Sequence, residues 1–77
     1  MTRYDIYIKG DFFSHEEGEF VCSRSDFEEA VSDALEIDIE ESERHFFEVT
    51  KEDEEWMYQQ LFDTYRGEWV YIVPHDD

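Results

Sequence analysis

Asp26, Glu29, Asp33 and Glu36 follow one another at spacings of three, four and three. On a helix such spacings fall on one face, so the four carboxylates would form a ladder. At 1.5 Å rise per residue the ladder is roughly 15 Å long, with neighbours about 5 Å apart. Asp38, Glu40, Glu41 and Glu43 continue the run, so that EIDIEESE at 36–43 holds five acids in eight positions. Carboxylates in a row do one kind of chemistry well, which is pairing with Lys and Arg. A DNA strand carries a phosphate every ~3.4 Å of axis, so a carboxylate row can offer cations a substitute for a phosphate row. A further acidic group, HEEGE at 15–19 with Glu16 and Glu17, follows Phe12 and Phe13. It reads either as one edge of a binding surface or as a polar hairpin tip.

Other chemistries leave no signature. His15, His45 and His75 lack the spacing of zinc ligands, and no twelve-residue calcium loop with a central Gly is present. There is no nucleophile elbow, phosphate-cradling Gly loop or Cys/His couple. Cys22, the sole cysteine, falls in an expected strand and reads as a small core residue. The expectation is a protein without catalytic residues, cofactor or bound metal. The six bases are scattered among acids, which argues against direct nucleic-acid binding.

Some of the acids have a structural reason to be where they are. Asp26, Glu28 and Glu29, and likewise Glu52, Asp53, Glu54 and Glu55, lie in expected first helical turns, where the macrodipole favours negative charge. Asp33, Glu36, Asp38, Glu40, Glu41 and Glu43 have no such reason, because at the end of a helix they oppose the dipole. Like charges at these spacings each destabilise by a few tenths of a kcal/mol.

The elements that must carry these residues follow from patterning. RYDIYIK at 3–9 alternates as a half-buried strand, 10–18 reads as a long hairpin loop, and EFVCSR at 19–24 as a second, antiparallel strand. Ser25 and Glu28 have capping-box spacing. Phe27, Ala30, Val31, Ala34 and Leu35 form the apolar stripe of a first helix. Beyond Glu36, the alternation of Ile37 and Ile39 with acids predicts an extended exit, and RHFFEVT at 44–50 a third strand. Thr50 and Asp53 cap a second helix over 51–66, with Trp56, Met57, Leu61, Phe62 and Tyr65 broadly on one side. Gly67 is expected in the left-handed position, and EWVYIV at 68–73 forms a last strand stopped by Pro74. The expected fold is α+β, a single domain over 1–77. It has two layers, a four-stranded sheet with both helices on one face, in the order ββαβαβ.

With 23 acids against six bases the formal net charge is -17. A disordered acidic tail is excluded by seven Phe, five Tyr and two Trp. Such a charge repels nucleic acid and anionic membrane and keeps a chain monomeric rather than dimeric. Its natural counterpart is a basic protein surface. One cysteine, no apolar leader in MTRYDIYIKG and no apolar run longer than WVYIV at 69–73 point to the cytoplasm.

In small size, aromatic-rich core and acidic excess the chain resembles phage-encoded DNA-mimic inhibitors of the anti-CRISPR and anti-restriction type. That resemblance implies a non-enzymatic inhibitor in a host cell's cytoplasm. It would block the basic groove of a DNA- or RNA-binding enzyme, with a CRISPR–Cas effector complex as the expected target. Two other readings share the surface: an immunity or antitoxin protein neutralising a basic nuclease toxin, and an acidic interaction domain adapted to high salt.

Overall fold

The computed structural model describes residues 2–9, 18–45 and 48–76. Strand β1 (Thr2–Ile8) leads to β2 (Glu19–Arg24), then helices α1 (Phe27–Arg44) and α2 (Lys51–Thr64), then β3 (Val70–Asp76). Among the described residues the sheet has three strands in the order β2-β1-β3, and both pairings are antiparallel. The α+β character holds, but the four-stranded sheet and the order ββαβαβ do not; the chain runs ββααβ. The strand expected over 44–50 is not formed among the described residues. Arg44 closes α1, and 48–50 lead into α2.

Alternation in β1 places Tyr4, Ile6 and Ile8 toward the helices and Asp5 and Tyr7 on the opposite face. Ile6, Val70 and Ile72 of the sheet pack with Ala30, Val31 and Ala34 of α1 and Leu61 of α2. Phe27 is the aromatic hub beside this core, with ring centroids 5.2 Å from Tyr4, 5.3 Å from Phe62 and 4.9 Å from Tyr65. α1 touches all three strands as well as α2. Cys22, half-buried, packs against the same core.

Three local readings are corrected. The N-cap of α1 is Asp26, not Ser25, its carboxylate accepting the Glu29 N–H at 3.3 Å. At the end of α2 the left-handed residue is Tyr65, with φ 62°, and Gly67 has no positive φ. Pro74 does not stop β3, which continues to Asp76 opposite Thr2. β3 is an edge strand, and its Ile72 N–H already turns away from β1 to the Tyr65 carbonyl at 2.7 Å. By parity, position 74 would also aim its N–H outward, so a proline there removes no ladder bond. The Thr50–Asp53 cap of α2 forms as expected, with reciprocal hydrogen bonds of 3.0 and 3.2 Å.

Candidate functional site: the acidic surface of the first helix

α1 runs for 18 residues and carries eight acids against one base. The turn expected to unwind after Glu36 is helical, which separates its acids by direction. Glu29, Glu36, Glu40 and Glu43 are exposed, with Asp33 half-buried between them. Positions 29, 33, 36, 40 and 43 alternate spacings of four and three, so they follow one face for about 21 Å. The ladder is therefore longer than the 26–36 stretch suggests.

Not every acid in the expected set joins it. Asp26 is spent on the cap of α1. Asp33 pairs with Arg24 of β2, and that hydrogen bond and charge hold the guanidinium still more firmly protonated. The Glu41 side chain is only 14% exposed and lies 3.4 Å from Arg44. Glu16 and Glu17 lie outside the described residues, as do Phe12 and Phe13.

Asp38 departs furthest from its expected surface role, because it is fully buried. It sits on the core-facing side of α1, in helical step with Ala34 and Ser42. Its Oδ1 accepts the Trp69 N–H at 2.7 Å and its Oδ2 the Glu68 N–H at 3.4 Å. Burial pushes the Asp38 pKa above the ordinary carboxylate value, while the two amide hydrogen bonds and Lys9 pull against that rise. The turn it holds is fastened from the other side by Lys9, whose Nζ donates to the Gly67 carbonyl at 2.6 Å and whose N–H reaches the Trp69 carbonyl at 2.8 Å. A Cβ at Gly67 would lie 2.8 Å from Asp38 Oδ2, so close approach of the carboxylate explains this glycine. Trp69 in turn stacks on His45, centroids 4.2 Å apart.

A second buried acid, Asp5, lies on the sheet face away from the helices, bound by Arg3 at 3.0 Å and His75 at 3.1 Å. Residues 3 and 75 are direct register partners, so strand pairing delivers a guanidinium and an imidazole to one carboxylate. Tyr7 and Tyr71 stack beside them at 5.2 Å. Spacing within one strand shows only that Asp5 faces outward; the pairing that buries it is tertiary.

The aromatics of α2 also divide differently from expectation. Met57 and Leu61 are buried, whereas Trp56 is 61% exposed and Tyr58 and Phe62 are partly exposed. Among the described residues no three His, Cys, Asp or Glu side chains converge as metal ligands would, and no helix is long and apolar enough to cross a membrane. No protein-family model, curated protein or solved structure matches the chain.

Proposed function

We propose that the protein is a non-enzymatic inhibitor that presents a substitute for a nucleic-acid backbone to the basic groove of a nucleic-acid machine. The observation that carries this reading is the row Glu29, Glu36, Glu40 and Glu43 on the solvent face of α1. These four carboxylates cap nothing and hold no ion pair among the described residues; Glu43, in the last turn, opposes the dipole of its own helix, and Glu36 and Glu40 stand one helical turn from like charges. A surface that weakens its own fold is accounted for by a cationic partner that neutralises it. The field of a chain at net charge -17 steers a basic partner and accelerates association. Exposed ion pairs contribute only about 0–1 kcal/mol each, so tight binding also needs an apolar anchor, and Trp56 and Tyr58 are exposed to provide it. By resemblance to the small phage inhibitors, the target is a CRISPR–Cas effector, at a surface that reads or holds DNA with Arg and Lys.

The test is affinity capture of the tagged protein's partner from bacterial lysate at low salt, followed by elution with duplex DNA. The expected result is a basic nucleic-acid-binding enzyme or complex released by DNA, and poorly retained by a variant with Gln at 29, 36, 40 and 43. A partner that DNA does not displace, or that the Gln variant holds equally well, contradicts the mimicry. A captured nuclease toxin would keep the surface chemistry and replace the CRISPR target with an immunity role.

A further inference from the structure

Past the end of α1, Glu48, Val49, Asp53, Trp56, Met57 and Glu68 line an open groove of about 200 Å³. That is below the ~300–1,000 Å³ of small-molecule pockets, so the groove suits a single protein side chain better than a cofactor. Its apolar surface comes from buried Met57, Val49 and the exposed ring of Trp56. Its polar surface includes three carboxylates from three different segments, the connection, α2 and the turn before β3, and no cation among the described residues lines it. One exposed aromatic alone means little. An exposed indole among three carboxylates combines the two features that hold a cation in water: a π face and negative charge.

We propose that this groove receives an arginine side chain of a basic protein partner, its guanidinium stacked on Trp56 and paired with the surrounding carboxylates. Arginine is favoured over lysine because its planar group stacks on an aromatic face, is weakly hydrated and offers five donors to several acceptors at once. Asp53 keeps one oxygen on the Thr50 N–H at 3.0 Å, which fixes that carboxylate before the ligand arrives. A second copy of this chain is a poor occupant, since it would bring a net charge of -17 against the same charge. The inference rests on the proposed function for the nature of the partner, but its test requires no partner.

The test is titration of ¹⁵N-labelled protein at low salt with tri-arginine amide, with tri-lysine amide and tri-citrulline amide as comparators, followed by NMR. The expected result is a saturable shift of the Trp56 indole N–H and of the Glu48, Asp53 and Glu68 amides. Tri-arginine should bind more tightly than tri-lysine, and tri-citrulline should leave these signals unmoved. Trp56→Ala should weaken tri-arginine binding about 2–5-fold, the range of an exposed cation–π contact, and Glu68→Gln about 1.5–5-fold, the range of an exposed ion pair. Shifts spread along Glu29 to Glu43 with Trp56 unmoved would overturn the groove while leaving the helix row as the cation-binding surface. Trp56 signals that change with protein concentration alone would overturn it in favour of self-association. No response at any carboxylate would contradict both this inference and the function on which it rests.

Discussion

On the outer side of α1, Glu36 and Glu40 stand in water; on its inner side, two residues from each, Asp38 stands at 0% exposure. All three side chains carry the same functional group within five consecutive positions. The difference comes from elsewhere in the chain. Residues 68 and 69 bring two amide donors to Asp38 and nothing described to the two glutamates. A carboxylate with donors becomes part of the fold, and one without them remains available to a partner. Acid density along the sequence therefore overstates the binding surface, and the separation of the two sides is open to experiment.

The largest effect is expected on the buried side. Asp38→Ala leaves the Trp69 and Glu68 N–H groups without their acceptor and should destabilise the protein by about 2–4 kcal/mol, measured by urea unfolding. An unchanged midpoint would show that the turn does not depend on this carboxylate. Next is Gly67→Ala, whose Cβ meets Asp38 Oδ2 at 2.8 Å and Leu61 Cδ2 at 3.2 Å. The expected loss is about 1–3 kcal/mol. Because part of that clash is with Asp38, the loss should shrink when Asp38 is already Ala, a coupling a double-mutant cycle would detect.

The two sides also differ in how legible they were. The cap of α1, expected at Ser25 and found one residue on at Asp26, the Ala30–Val31–Ala34 stripe, the Thr50–Asp53 box and the β1–β2 pairing are local patterns, and each was readable to within a residue or so. The second half of α1 was not, because its core-facing positions are Asp38 and Ser42 rather than apolar residues, so the 3.6-residue period vanishes from a hydrophobicity reading. Ile37 and Ile39, both half-buried flanking positions, then imitate strand alternation. Once α1 is seen to run to Arg44, little chain is left before Thr50 for a further strand. Gly67 does not take the left-handed position expected of it, which falls to Tyr65; its constraint is the approach of Asp38, a contact across 29 residues that no local spacing encodes. The row of Glu29, Glu36, Glu40 and Glu43 was partly visible, its first half as a ladder and its second half as unexplained charge.

Acidity separates the two sides in a further way. Burial raises the folded-state pKa of Asp38 above its usual 3.8, so its contribution to stability is fully present below that value and is lost as pH rises through the folded pKa. The wild type should therefore lose more stability over that window than Asp38→Asn, which cannot ionise. Unfolding midpoints across a pH series would check this, and parallel curves would show that the buried carboxylate does not titrate with folding. Repulsion among the exposed acids also grows with pH, but it is common to both proteins and cancels in the difference.

The smallest effect bears on the outer side and on the central claim, that its carboxylates are surplus to the fold. The measurement is equilibrium urea unfolding of the Glu36→Gln, Glu40→Gln, Glu43→Gln triple variant against wild type, at low and at high salt; Glu29 is left in place because it lies in the first turn of α1, where the dipole favours it. Removing like-charge neighbours should raise stability at low salt by about 1 kcal/mol in all, and the gap should close as salt screens the repulsion. A triple variant less stable than wild type at low salt would contradict the account, because it would make those glutamates structural and leave no surplus row to offer a basic partner.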